Sequence, residues 1–129
     1  MATVVATKIT DESLLSTLRD VVSERPEYIY SSPEHMQVPD ERATCFYVHK
    51  DEDGSNVAAG CAIGVVLSRL GVPLEELERH EGSGAWTLLG KLAPKLKRRT
   101  RDQLSSMQTN QDSGEPWGLA YAKATGETI

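Results

Sequence analysis

Aromatic residues are scarce in this chain, seven in 129 positions, and Phe46 is the single phenylalanine. A core must therefore be built mainly from Leu, Val, Ile and Ala. The two cysteines, Cys45 and Cys61, are too few for a disulfide framework, and a domain of this length does not need one. The expectation is a reducing cytoplasm in which both thiols act as small hydrophobes. Long apolar runs are missing as well. The longest mainly apolar stretch, Val57 to Leu67, is eleven residues and falls well short of a bilayer span. The start, MATVVATKITDESLL, shows no basic leader before an apolar run, so no signal peptide and no membrane association are expected. Net positive charge is absent too. At −5 and a pI near 5.2, the summed field repels nucleic acid and anionic membranes, so contact with either must be local. No fixed-period repeat occurs, which excludes a solenoid.

What is present reads as a single α+β domain over residues 1–129, predominantly helical with a short β-strand or hairpin. Thr3 to Ile9 alternate weakly and could form a short strand. Thr10 or Asp11 then offers an N-cap, and Leu14, Leu15, Leu18, Val21 and Val22 follow with helical spacing to about Glu24. From Arg25 to Arg42 three prolines, Pro26, Pro33 and Pro39, remove donors and bias their predecessors away from helix, which predicts a long loop or arm. Ala43 to His49 is rich in β-forming residues and precedes Asp53-Gly54, a turn pair that can return through Ser55 to Ala58.

Gly60 to Leu70 is apolar on nearly every side of a helical wheel, the pattern of a buried core helix. Gly71 stops it, and Pro73 opens a short helix that runs toward Gly82. AWTLLGKL predicts a third short helix, broken by Ala93 and Pro94. Thr100 and Gln103 fit a capping box that starts a polar helix from about Arg101 to Gln108. QDSGEP reads as a turn, and Pro116 precedes a last helix through WGLAYAKA.

Most candidate motifs fail on spacing. Counting from Asp51, DEDGSN places Gly54 fourth and Ala62 twelfth, where a calcium loop needs glycine sixth and glutamate twelfth. Cys45, His49, Cys61 and His80 are separated by three, eleven and eighteen residues, which matches no standard zinc site. Glu75, Glu76, Glu78 and Glu81 read as an acidic helix face without need of acid-base work. No metal, cofactor or catalytic residue is assigned.

Two features stay open. Cys61 at a helix start could carry a stabilised thiolate, with His49 or His80 as base, in a cysteine-dependent hydrolase or transferase. Lys91, Lys95, Lys97, Arg98, Arg99 and Arg101 place six of the fourteen basic residues within eleven positions. Of these, Lys95, Lys97, Arg98, Arg99 and Arg101 are the candidate anion-binding set, for phosphates or an acidic protein partner.

In the stretch GCAIGVVLSRLGVPLEELERHEG and the closing NQDSGEPWGLAYA, the chain resembles small uncharacterised proteins of actinobacteria and their bacteriophages. The matching residues are Cys61, Ala62, Ile63 and Gly64, then Gln111, Asp112, Gly114, Pro116 and Trp117. The resemblance covers about half of the chain. It implies a phage or actinobacterial origin and a compact helical α+β domain, and it carries no catalytic residues.

The leading expectation is a non-enzymatic interaction protein, a bacteriophage accessory factor that binds a host or phage protein, placed in the host cytoplasm if phage-encoded. Tyr28, Tyr30, His35 and Met36 of the arm are the candidate partner-binding residues, since interface cores favour Tyr and Met and prolines lower the ordering cost. The competing expectations are the Cys61 enzyme and a local nucleic-acid binder through the 91–101 run.

Overall fold

Thr10 starts the first helix by a reciprocal cap: its hydroxyl accepts the Ser13 amide at 3.0 Å, and the Ser13 hydroxyl accepts the Thr10 amide at 2.9 Å. Two end donors are satisfied at once. In this computed structural model, which describes residues 9–31, 33–36 and 46–129, helix α1 spans Asp11–Glu24 and buries Leu14, Leu18, Val21 and Val22. Residues 3–8 of the strand expected over Thr3 to Ile9, and residues 37–42 of the arm, lie outside the described residues.

Strands β1, Val48–Lys50, and β2, Asn56–Ala59, form an antiparallel hairpin with Val48 opposite Ala59 and His49 opposite Ala58. The Asp51 carboxylate accepts the Asp53 and Ser55 amides, and Gly54 takes φ +86, the geometry that Asx turns and glycine provide. The hairpin is the one expected, but its first strand is shifted. Residues 43–45 lie outside the described set, and Phe46 and Tyr47 precede the strand although pairing continues across them: their carbonyls accept the amides of Cys61 and Gly60, both at 2.9 Å. Glu81 covers neighbouring donors by accepting the Tyr47 and Val48 amides at 2.8 and 3.2 Å.

Helix α2, Ala62–Arg69, is the central element, with Ala62, Ile63, Gly64, Val66 and Leu67 buried. Gly60 and Gly64 bracket its start for a steric reason. A Cβ on Gly60 would lie 2.3 Å from the Phe46 carbonyl oxygen, and one on Gly64 2.3 Å from that of Tyr47. The β-element therefore approaches the helix as closely as backbone allows. Gly71, at φ +99, ends the segment.

Four further helices follow: α3, Leu74–Glu78; α4, Ala85–Leu92; α5, Arg98–Asp112; and α6, Trp117–Thr125. Helix α5 packs on α4 and α6, while α1 packs on α2. The chain is thus a helical α+β domain with six α-helices among the described residues. No helix among them is long and apolar enough to cross a membrane.

Helix α5 corrects two expectations. It begins at Arg98 with Lys97 as N-cap, so Thr100 and Gln103 form no capping box. Instead the Asp11 carboxylate, 86 residues away, accepts the Lys97 amide at 2.9 Å and the hydroxyl of Thr100, which is 3% exposed. The helix also continues through Gln111 and Asp112, where a turn was expected. Gln108 and Gln111 are buried there.

Those glutamines explain two other helix starts. Neither α2 nor α4 has a side-chain cap of its own. Gln111 Oε1 accepts the Ala62 amide at 2.9 Å and the Trp117 indole N–H at 3.1 Å. Gln108 Oε1 accepts the Ala85 amide at 2.7 Å, and its Nε2 donates to the Tyr47 hydroxyl at 3.1 Å. Tyr47 in turn donates to the Ser83 carbonyl at 2.5 Å. Helix α6 is capped by backbone: its Trp117 and Gly118 amides donate to the carbonyls of Tyr28 and Pro26 at 2.9 and 2.7 Å. Orphan amides of four helices are thus met by groups remote in sequence.

Candidate functional site

The first half of the arm folds back on the domain. Tyr28 is half-buried, its ring edge-on to Trp117 at 4.8 Å and 82°, with the Arg25 guanidinium 4.0 Å over its face. Tyr30 is 5% exposed. Its hydroxyl accepts the Phe46 amide at 3.2 Å and pairs with His49 Nε2 at 2.8 Å, while burial pushes its pKa up to about 12. Burial, then the nearby His35, holds His49 below the usual imidazole range. His35 Nε2 donates to the Lys50 carbonyl at 2.6 Å, and Met36 Sδ lies 3.2 Å from the Lys50 amide. The four candidate partner-binding residues thus pack against α6 and β1 of their own domain. Among them His35 alone is exposed.

Cys61 is disulfide-bonded. Its amide pairs with the Phe46 carbonyl, which brings the sequence neighbour of the chain's other cysteine opposite it; Cys45 itself lies outside the described residues. The small-hydrophobe reading of Cys61 is therefore corrected, and in this state it presents no thiolate to act as a nucleophile. Among the described residues no group of three or more His, Cys, Asp or Glu is placed to hold a metal ion.

Two carboxyls are perturbed by burial near the hairpin. Asp112 is pushed up to about 6 by burial, with the Gln111 amide offsetting part of the rise. Burial also raises Glu81, against the two amides it accepts. Glu81 is thereby occupied in holding β1. On the same acidic segment Glu76 pairs with Arg79 and His80, and Glu78 with Lys50.

The basic run lies at the corner where α4 passes into α5. Lys91, Lys95, Lys97, Arg98 and Arg99 are all exposed, and none has a carboxylate within ion-pair distance among the described residues. Arg101 differs. Its guanidinium lies 3.9 Å over the Trp86 ring and donates to the Trp86 carbonyl through Nε and Nη2 at 3.2 and 2.5 Å. Gly90 makes the room, since a Cβ there would lie 2.3 Å from Nη2. Arg101 thus ties α5 to α4, while the other five cations are exposed to solvent, Lys97 beside Asp11. Trp86 went unmarked in the sequence because its partner is fifteen residues on, in another helix.

Beside this corner runs an open groove of about 530 Å³ between the start of α1, the start of α5 and the end of α6. Lys97 and Arg99 line it together with Leu15, Gln103 and Tyr121. Nothing in the sequence marks it, because its walls come from three separated segments.

No protein-family model, curated protein or solved structure matches the chain.

Proposed function

We propose that this chain is a non-enzymatic interaction protein that binds an acidic partner protein through the corner carrying Lys91, Lys95, Lys97, Arg98 and Arg99. One observation carries the reading: five exposed cations stand, among the described residues, without a carboxylate within ion-pair distance, Lys97 alone having Asp11 near enough to interact with its charge, in a chain whose formal charge is −5. Acidic side chains are plentiful, yet the fold directs them elsewhere, to Arg69, Arg79, Lys50 and Lys123. Unpaired surface cations at this density create a local field that an acidic surface can use, and salt screens it over a distance of roughly 8 to 10 Å. The arm supports the reading less, since Tyr28 and Tyr30 serve their own core. A role as a phage accessory factor acting on a host or phage protein fits this reading.

The test is binding of fluorescent polyglutamate, followed by anisotropy, to the wild type and to the Lys95→Glu, Arg98→Glu, Arg99→Glu triple variant. Binding that weakens with salt and is lost in the triple variant is expected. Equal binding by both proteins removes the corner from the account. Tighter binding of a duplex oligonucleotide than of polyglutamate, with the same dependence on the three residues, transfers the corner to nucleic acid instead.

A further inference from the structure

Tyr28 is fixed to the domain through its backbone, its carbonyl accepting the Trp117 amide at 2.9 Å. Beyond it, among the described residues, the arm is joined to the β-element by arm side chains. The Tyr30 hydroxyl accepts the Phe46 amide and pairs with His49 Nε2, His35 Nε2 donates to the Lys50 carbonyl, and Met36 Sδ lies 3.2 Å from the Lys50 amide. Two of these four contacts run through an imidazole, the side chain that gains charge between neutral and mildly acidic pH. We propose that the arm from Tyr30 to Met36 is a pH-sensitive latch: protonation of His49 weakens its hold on β1 and uncovers the Lys50 amide and carbonyl. The latch stands apart from the basic corner and does not rest on it.

The His49 ring is confined. The Tyr30 ring lies 5.6 Å from it, and a Cβ on Gly60 would sit 2.6 and 2.7 Å from its Cδ2 and Nε2. Burial first, then His35, works against a charge there. Both tautomers give the same sign. Where Nε2 accepts the Tyr30 proton, protonation sets a second donor against that hydroxyl hydrogen; where Nε2 already donates, the new proton goes to Nδ1. In either case a half-buried ring becomes a cation. The titratable groups around Tyr30 and His49 are His35 on the arm, Lys50 on β1, Asp51 in the turn, Glu78 and Glu81 on and after α3, and Asp112 at the end of α5. Asp51 is engaged with the Asp53 and Ser55 amides, Glu78 with Lys50, and Glu81 with the Tyr47 and Val48 amides. Burial raises both Glu81 and Asp112, so acid withdraws negative charge as the imidazole gains its proton. His49 is depressed in the fold, so the hold it contributes is complete above the ordinary value of 6.5 and is lost as pH falls below it.

The experiment follows amide hydrogen exchange in the full ¹⁵N-labelled chain from about pH 7.5 to about pH 5.5, across the imidazole range, in the wild type and in His49→Gln. Protection factors remove the intrinsic pH dependence of exchange, and local opening is read separately from global unfolding. Protection of the Phe46 and Lys50 amides is expected to fall severalfold in the wild type on acidification, while amides inside α2 and α5 keep theirs. His49→Gln retains a polar partner for Tyr30 without a titrating charge and should hold protection constant. No fall in the wild type overturns the latch, as does an equal fall in His49→Gln. A fall shared by α2 and α5 assigns the effect to the whole fold and overturns it too. Should His49→Gln leave Phe46 unprotected at every pH, the His49 ring resonances of the wild type decide. A ring titration that coincides with the loss of Phe46 protection supports the latch, and one displaced from it by more than about one pH unit, a tenfold difference in protonation, overturns it.

Discussion

Gln111 lies 49 residues from Ala62 in the chain, yet its Oε1 accepts the Ala62 amide at 2.9 Å. The same oxygen accepts the Trp117 indole N–H, so one side chain joins the start of α2 to both members of the C-terminal helix pair. Gln111→Met keeps the length and removes the acceptor. Two buried donors are then left unpaired, each costing about 1 to 3 kcal/mol. Urea unfolding is expected to show a loss of about 3 kcal/mol. A change below 0.5 kcal/mol would mean that another acceptor serves Ala62 and Trp117.

Gly64 tests the close approach of strand and helix. An added Cβ would sit 2.3 Å from the Tyr47 carbonyl oxygen, which is backbone and cannot swing aside. Gly64→Ala is expected to lower stability by about 3 kcal/mol or to prevent folding. Gly82→Ala meets open space at φ +87, and its strain of about 1 kcal/mol is expected to leave the fold intact. Thermal melts of both variants rank the two effects.

Asp112 and Asp11 give opposite pH signatures. Asp112 has its folded pKa raised to about 6, so the stability its protonated form contributes is complete below the unfolded value near 3.8 and is lost as pH rises through about 6. At neutral pH the ionised carboxylate is therefore a net cost, and Asp112→Asn is expected to gain stability there. The half-exposed group retains much of its hydration, so the gain is held to about 1 kcal/mol. The advantage should vanish by about pH 4. Asp11 is shifted down, and its contribution is present above the unfolded value and lost as acid titrates it. Asp11→Ala removes the cap of α5 and is expected to cost about 1 kcal/mol at neutral pH, with a smaller deficit in acid. Denaturant midpoints for both variants, between pH 4 and 7.5 for Asp112 and carried down to about pH 2 for Asp11, decide the two signs.

Much of the fold was legible because its signals are local. The cap at Thr10, the apolar run through Ile63 and Leu67, the Asp53-Gly54 turn and the Gly71 stop each lie within a few residues of the structure they specify. What stayed hidden depends on groups brought from afar. Thr100 resembles a local cap and instead serves Asp11; Gln108 and Gln111 look like solvent residues and instead cap α4 and α2. Sequence reading marked Lys91 to Arg101 as basic without separating Arg101, engaged with Trp86, from the cations facing solvent. Tyr28 and Tyr30 stood out as partner contacts by residue type, and scarcity of aromatics is equally a reason for them to pack on their own domain, Tyr30 in the core and Tyr28 partly buried against it.

Cys61 supplies a chemical check on the disulfide. Mass spectrometry after alkylation of the unfolded, unreduced protein should find no adduct on the Cys61 peptide, since burial would shield even a free thiol in the fold, and unfolding with reductant should allow one. A disulfide persists in oxidising surroundings. Alkylation of Cys61 in the unfolded protein without reductant would restore the free thiol, and rapid alkylation in the fold would restore the cysteine-enzyme expectation.

The most direct test of the account is a ¹⁵N–¹H titration of the labelled protein with polyglutamate, because it reports which backbone amides feel the ligand. The account expects the largest shifts at Lys91, Lys95, Lys97, Arg98 and Arg99, with Tyr28, Tyr30 and His49 unmoved. Shifts centred on Tyr28 to Met36, or no shift at the corner while polyglutamate is bound, would contradict it.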